Sequence, residues 1–314
     1  MLLNRAFDDR ISALYRQGKI SGGAFGSRGQ EACSVGSAYA LEEHDVVGPM
    51  IRNSGVILTR GLPIRKFFAN YLGRATSPTG GRDGNTHLGD LSLGIVAPIS
   101  HLSSLIPVLA GVALTFKLRG EKRVAITWIG DGGSSVGDFH EGLNLASVMK
   151  LPFVLVLENN QYAYSTPTSM QCAASKFSDK AAGYGIRGVT VDGNDVLAVH
   201  HAVKDAANRA RSGDGPTLIE AVTMRMKGHA EHDDAGYVPT ALLAEWAKRD
   251  PIERFRRLLR SRRLLTEEED RATEDRVARE IEKAVMEALS DPFPDGPTAL
   301  DGVYAERSED RGPA

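Results

Sequence analysis

The 314-residue sequence has only two cysteines, Cys33 and Cys172, and no long uncharged hydrophobic run. Two cysteines cannot form a disulfide framework or a cysteine-rich metal site, so we expect both to be small buried residues. No stretch approaches the roughly 20 apolar residues of a membrane-spanning helix, and the first residues lack the layout of a signal peptide. These absences predict a soluble, cytoplasmic protein with no membrane partner.

An excess of charge of one sign is also lacking, because 38 Lys and Arg are balanced by 40 Asp and Glu, giving a formal net charge of -2. A near-neutral chain gives no reason to expect nucleic acid or an anionic membrane surface as a partner. The length suffices for one large α/β domain or two small ones. We find no internal repeats.

Strands and helices alternate through the middle of the chain. Helices are predicted over residues 137–149 and again from Val196, and buried strands over residues 123–129, 153–157, 188–191 and 216–226. The upstream part is predicted to hold helices over residues 6–17, over residues 29–41 and from Pro63, followed by an ordered loop over residues 73–90. The alternation predicts an α/β fold with a mostly parallel sheet and helices on both faces.

The pattern becomes helical and charged after about residue 240. One long helix is predicted over residues 264–289, with acidic residues at its start where they suit the helix dipole. We therefore predict an α/β domain over residues 1–240, a helical C-terminal extension over residues 241–305, and a disordered tail over residues 306–314.

A glycine-rich turn, residues 130–133 (GDGG), directly follows the first of these strands and precedes a helix. Exposed backbone N–H groups in such a turn can cradle a phosphate. A dinucleotide site would need a third glycine where Ser135 stands, although Glu158 could serve as its acid. Asp131 would repel a bare diphosphate by about 4 kcal/mol at about 4 Å and moderate dielectric.

A hard divalent cation between Asp131 and the phosphate would turn that repulsion into coordination, since Mg²⁺ prefers carboxylate and phosphate oxygens. Asn160 follows the neighbouring strand and can supply another oxygen at the edge of the sheet where open α/β folds bind ligands. The turn therefore favours a metal diphosphate over a dinucleotide.

Gly-Asp-Gly followed by Asn-Asn, with residues 133–158 between them, resembles the thiamine-diphosphate signature. The surrounding segment GDFHEGLNLASVMKLPFVLVLENNQYAYSTPTSMQ resembles the alpha subunit of the decarboxylating component of 2-oxo acid dehydrogenase complexes. VDGNDVLAVHHAVKDA, GPTLIEAVTMR, GHAEHDDAGY and the later DPFPDGP and DGVY are similar to the same family in the same order. The resemblance covers nearly the whole chain and implies the thiamine-diphosphate-binding fold.

The resemblance also implies thiamine diphosphate and Mg²⁺ as cofactors, with the metal bound by Asp131, Asn160 and the backbone carbonyl of Tyr162. The residues that it assigns to the cofactor itself are Arg52, Ser100, Leu102, Gly130, Asp131, Gly132, Gly133, Asn160, Tyr162, Arg225 and His229. Proton transfer needs a positioned acid or base, for which His87 and His229 are the candidates.

The spacing from Arg52 to Pro107 resembles that of the branched-chain type. On this alignment the backbones of Ser100 and Leu102 hold the cofactor ring, whereas in the pyruvate type residues 94–96 (GIV) would do so. Ile51, His101 and Leu105 replace a tyrosine, a proline and a glutamine of the family, and the last change leaves a potassium requirement open.

By resemblance, the chain is expected to take part in oxidative decarboxylation of a branched-chain 2-oxo acid and reductive acylation of a lipoyl group on a partner acyltransferase. A separate beta subunit would supply the glutamate that activates the cofactor, in a heterotetramer of two alpha and two beta subunits, so the chain alone is expected to be inactive. Asp138 and Glu141 are either acids near a helix N-terminus or part of an acidic tunnel between two sites.

Three other functions stay open. A related enzyme could act on pyruvate or acetoin or form carbon–carbon bonds. A nicotinamide-dependent oxidoreductase is opposed by Asp131 and by the missing third glycine. A non-catalytic scaffold is favoured by the replacements at Ile51, His101 and Leu105 and opposed by the intact signature.

Overall fold

A computed structural model describes residues 1–303, so the tail predicted over residues 306–314 lies outside the described residues. The described strands are β1 (Val46–Gly48), β2 (Ala125–Gly130), β3 (Phe153–Asn159), β4 (Tyr162–Ala163), β5 (Thr166–Pro167), β6 (Arg187–Asp192) and β7 (Thr217–Val222). Five of them form a parallel sheet in the order β1-β2-β3-β7-β6. β4 and β5 form a small antiparallel ribbon beyond the end of β3.

The helices of the described chain surround this sheet. In chain order they are α1 (Leu2–Arg16), α2 (Glu31–Tyr39), α3 (Ser54–Thr59), α4 (Ile64–Tyr71), α5 (Leu105–Leu118), α6 (Gly137–Val148), α7 (Lys180–Gly183), α8 (Val196–Arg211), α9 (Thr240–Ala247), α10 (Pro251–Ser261) and α11 (Glu267–Ser290). None of the helices within residues 1–303 is long and apolar enough to cross a membrane. The cytoplasmic location stays a prediction.

Side chains alternate between the two faces of the sheet and enter two hydrophobic clusters. Along β2, Ile126 and Trp128 join the cluster beneath α1, α2, α4, α8 and α11, whereas Ala125 and Ile129 join the cluster beneath α5 and α6. Both faces of the central strands are buried in this way, which explains the nearly continuous apolar runs in β2 and β3, whereas the edge strand β6 is mostly exposed. The predicted α/β fold with helices on both faces is confirmed.

Several element predictions need correction. The first helix begins at Leu2 rather than at residue 6, and the last central strand ends at Val222 rather than at residue 226. β1, α3 and α5 were not predicted. The sequence of α5 is apolar on most sides, so it lacks the 3.6-residue alternation that reveals an amphipathic helix. Cys33 is buried as expected, but Cys172 is partly exposed.

The C-terminal helices pack onto the N-terminal part of the chain. Val277, Ile281 and Val285 on α11 enter the same cluster as Phe7 and Phe67. At the far end of α11, Asp291 forms an ion pair with Arg65 and accepts a hydrogen bond from the Thr76 hydroxyl. These contacts hold the proposed C-terminal extension in place. The domain boundary at residue 240 stays a prediction.

Candidate functional site

A cavity of about 430 Å³ opens at the carboxyl ends of β2 and β3. In the sheet register Gly130 lies opposite Glu158, so the residues that follow both strands meet at this edge. All of the predicted site residues except His87 line the cavity: Arg52, Ser100, Leu102, Gly130, Asp131, Gly132, Gly133, Asn160, Tyr162, Arg225 and His229.

Three oxygen-bearing groups converge at the floor of the cavity. Asn160 donates from Nδ2 to Gln30 Oε1 at 3.1 Å, so its other amide atom faces the site. That atom lies 3.2 Å from Asp131 Oδ1 and 3.1 Å from the carbonyl oxygen of Tyr162. With the amide in this orientation, the Asn160 oxygen faces two other acceptor oxygens at hydrogen-bonding distance with no hydrogen between them.

The repulsion between these oxygens can be removed either by a bound cation or by rotation of the Asn160 amide. Rotation would let the amide donate to Asp131 and Tyr162, and a matching rotation of Gln30, whose Nε2 has no hydrogen-bond partner in residues 1–303, would keep the contact between the two amides. A divalent cation relieves the three oxygens with the existing partners kept, and carboxylate, amide and carbonyl oxygens are ligands that Mg²⁺ accepts. The donor set therefore fits the expected metal.

Asp131 is held firmly and is only 1% exposed. Its carboxylate accepts hydrogen bonds from Gln171 Nε2 at 2.7 Å and from the Asn160 N–H at 3.3 Å. Burial raises the pKa of Asp131 above its ordinary value. Residues 1–303 contain no cluster of three or more His, Cys, Asp or Glu side chains that could bind a metal, and of the three converging oxygen-bearing groups only Asp131 contributes a side chain of those types.

The glycine turn leaves open space where a ligand can approach the backbone. A Cβ atom added at Gly130 would meet nothing within 4 Å, whereas one at Gly132 would lie 2.5 Å from the Cβ of Ala163. The Ser103 hydroxyl donates to the Gly133 carbonyl at 2.7 Å, and Lys180 Nζ donates to the Ser134 carbonyl at 2.7 Å. The turn is therefore fixed from two sides and can serve as a preformed phosphate cradle.

Two buried arginines line the same cavity, Arg52 at 5% and Arg225 at 2% exposure. Arg52 donates to the carbonyls of Gly26 and His229, and Arg225 donates to the carbonyls of Tyr162 and Tyr164. Neither guanidinium forms an ion pair with any residue between positions 1 and 303. A buried charge without a counter-charge is costly, so an anionic ligand here would stabilise both residues.

His229 lies between these arginines. Its Nδ1 is 3.1 Å from Arg52 Nη2, and because a guanidinium only donates, Nδ1 must be the unprotonated nitrogen. Burial, together with the charges of Arg52 and Arg225, lowers the pKa of His229 to about 4. The ring is therefore neutral at neutral pH and carries its proton on Nε2, where it can donate a hydrogen bond.

His87 lies outside the cavity. Its Nε2 is 3.0 Å from the Ser100 hydroxyl and its Nδ1 is 3.4 Å from Asp83. Since Ser100 lines the cavity, His87 reaches the site only through this one contact. Its assignment as a proton-transfer residue stays a prediction.

Several residues that hold the site together were not predicted from the sequence. Gln171 fixes Asp131, Gln30 fixes Asn160, and the Tyr237 hydroxyl accepts from Arg225 at 2.6 Å. Gln30 and Tyr237 lie on distant segments and Gln171 lies in a loop after the β4–β5 ribbon. No spacing rule connects a neutral amide or a tyrosine to a site across such distances, so no sequence signal was available.

A family model for the dehydrogenase E1 component matches residues 1–296 of this chain. The chain is 39% identical over 309 residues to the 2-oxoisovalerate dehydrogenase subunit alpha of Bacillus subtilis, covering 98% of this chain and 93% of that protein. It is 40% identical over 290 residues to the pyruvate dehydrogenase E1 component subunit alpha of Staphylococcus aureus, covering 92% of this chain and 76% of that protein. The corresponding protein of Staphylococcus epidermidis is 39% identical over 308 residues, with 98% and 80% covered.

Proposed function

Since this chain belongs to the dehydrogenase E1 component family, we propose that it is the alpha subunit of a 2-oxo acid dehydrogenase that uses thiamine diphosphate and Mg²⁺ and acts on a branched-chain 2-oxo acid. One observation carries the cofactor assignment. The converging oxygens of Asp131, Asn160 and Tyr162 face the same cavity as two buried arginines that have no ion-pair partner in residues 1–303. In a metal diphosphate, the cation would bind the oxygens and the negative diphosphate would bind the arginines.

The branched-chain assignment is supported by the backbone around residues 94–102. Gly94 accepts from the Val47 N–H at 2.8 Å, and the Val96 N–H donates to the Val47 carbonyl at 2.9 Å, so these groups are used in pairing with β1. Ser100 and Leu102 instead line the cavity. This arrangement agrees with the loop spacing of the branched-chain type. Identities of 39% and 40% to the two kinds of relative are too close to separate them.

Bound thiamine diphosphate supplies the electron sink that makes decarboxylation of a 2-oxo acid possible, while the protein binds and orients the reactants. In the proposed site Asp131, Asn160 and the Tyr162 carbonyl would hold Mg²⁺. Arg52 and Arg225 would bind diphosphate oxygens, and charge-assisted contacts of this kind are roughly twice as strong as neutral ones. Neutral His229 would be available to donate a hydrogen bond from Nε2 to an oxygen of the cofactor or substrate.

A beta subunit is proposed as the partner that completes the site. Among the residues of the described chain that line the cavity, Asp131 is the only carboxylate, and the proposed metal occupies it. No acid remains in the cavity to activate the cofactor ring. Exposed apolar side chains on α5 and α6 and before them, including Leu102, Val108 and Val148, offer a surface on which a second subunit could bury hydrophobic area. The heterotetramer and a lipoyl acyltransferase partner belong to the same proposal.

The proposal is tested in a complex of this chain with its proposed beta subunit. Decarboxylation of 3-methyl-2-oxobutanoate and of pyruvate is measured with thiamine diphosphate, Mg²⁺ and an artificial electron acceptor. We expect a higher kcat/KM for the branched acid and loss of activity when Mg²⁺ is chelated. Asp131→Asn, which keeps the shape of the side chain but removes its charge, is expected to weaken cofactor binding at least tenfold, or about 1.4 kcal/mol.

Preference for pyruvate would refute the branched-chain assignment and keep the cofactor chemistry. Binding of thiamine diphosphate without turnover of either acid would favour carbon–carbon bond formation or another 2-oxo acid. If the folded complex does not bind the cofactor at all, a scaffold role becomes the better interpretation. Unfolding curves of the wild type and of Asp131→Asn would separate lost binding from lost folding.

A further inference from the structure

Tyr164 follows the β4 strand and has an unusual backbone conformation. Its φ is 52°, in the left-handed region that aromatic residues seldom adopt. Its carbonyl accepts a hydrogen bond from Arg225 Nη2 at 2.7 Å, and only Ser165 separates it from β5, which pairs with β4. Tyr164 and Ser165 thus form the two-residue connection of a hairpin, in which positive φ is common, and the turn and the Arg225 contact together fix the direction of the side chain.

The conformation places the Tyr164 ring in the wall of the cavity. One side packs against the His229 ring at 4.6 Å between centroids, and the Tyr237 ring lies 6.2 Å away. The side chain is nevertheless 47% exposed, and it lines the same cavity as Asp131 and Asn160. A rigid aromatic surface thus faces the space beside the proposed diphosphate and metal groups.

We propose that Tyr164 is a specificity-determining residue whose ring packs against the aliphatic side chain of the 2-oxo acid. This inference rests on the proposed function and names the contact that selects the substrate. The isopropyl group of 3-methyl-2-oxobutanoate can bury more of the ring than the methyl group of pyruvate can. Each additional methylene in a hydrophobic pocket changes kcat/KM by about 10- to 200-fold, so loss of the ring should act mainly on the larger acid.

The test compares three variants in the complex with the beta subunit. Tyr164→Ala removes the ring. Tyr164→Asn also removes it but introduces a residue that tolerates positive φ, so at least one of the two variants should fold. Tyr164→Phe keeps the ring and serves as the matched control. The readouts are kcat/KM for 3-methyl-2-oxobutanoate and for pyruvate, and the Kd of thiamine diphosphate with Mg²⁺.

We expect the ratio of the two kcat/KM values to fall at least tenfold in the Ala and Asn variants, mainly through a higher KM for the branched acid. The Phe variant should keep the ratio within about twofold and bind the cofactor as the wild type does. An unchanged ratio would overturn the inference, whether or not the two kcat/KM values fall. If both values fall equally, the ring only supports His229. A wild-type complex inactive on both acids would overturn the proposed function, and this inference with it.

Discussion

Two glycines of the same turn, Gly130 and Gly132, should differ in how substitution by alanine affects folding stability. Gly130 has φ -78° and ψ 161°, an extended conformation open to any residue, and a Cβ there would point into empty space. Gly130→Ala should therefore fold as well as the wild type, or gain about 0.4–1 kcal/mol through a less flexible unfolded chain. Its methyl group would, however, occupy the space in which the diphosphate approaches the backbone.

Gly132→Ala is the matched comparison. Its Cβ would lie 2.5 Å from the Cβ and 3.3 Å from the Cα of Ala163, so the backbone of β4 would have to shift. Overpacking of this kind costs about 1–3 kcal/mol. Because β4 carries the Tyr162 carbonyl, Gly132→Ala should lose folding stability and metal-dependent binding together.

Urea unfolding of the chain and titration of the alpha–beta complex with thiamine diphosphate and Mg²⁺ separate the two effects. We expect Gly130→Ala to raise the Kd of the cofactor at least tenfold, equivalent to about 1.4 kcal/mol, with no loss of unfolding free energy. Wild-type affinity in Gly130→Ala would show that the turn does not cradle the diphosphate. Wild-type stability in Gly132→Ala would refute the packing argument.

Two further predictions concern the buried polar groups. Burial raises the pKa of Asp8 to about 6, above an unfolded value of about 3.9. The protonated carboxyl therefore adds to the free energy of unfolding; this contribution is fully present below about pH 4 and is lost as pH rises to about 6. Asp8→Asn should remove about 3 kcal/mol of that pH dependence in urea unfolding, and an unaltered slope would contradict this. Asn53→Ala removes donors to Ser34 and Glu158 and an acceptor for the Met50 N–H, and should cost about 3 kcal/mol. Exposed Asn208→Ala, the control, should change stability by under about 0.5 kcal/mol, and an equally small effect at Asn53 would contradict the prediction.

The α/β fold class, the order of the central strands along the chain and the family could all be predicted from the amino-acid sequence. Those features depend on short-range patterns. Apolar runs separated by turns specify strands, and the Gly-Asp-Gly turn and the Asn pair each lie directly after a strand. Because the carboxyl ends of parallel strands share one edge, local sequence was enough to predict that Asp131 and Asn160 meet there, as the sheet register shows.

Which other residues complete the site became visible in the three-dimensional structure alone. Gln171, Gln30 and Tyr237 reach it from separate segments, and no periodicity connects them to Asp131. The helix α5 was missed for a related reason, since a helix apolar on most sides is recognised from what covers it rather than from its own pattern. Contacts between distant segments depend on how helices and strands pack, and that packing is not encoded in any single window of the sequence.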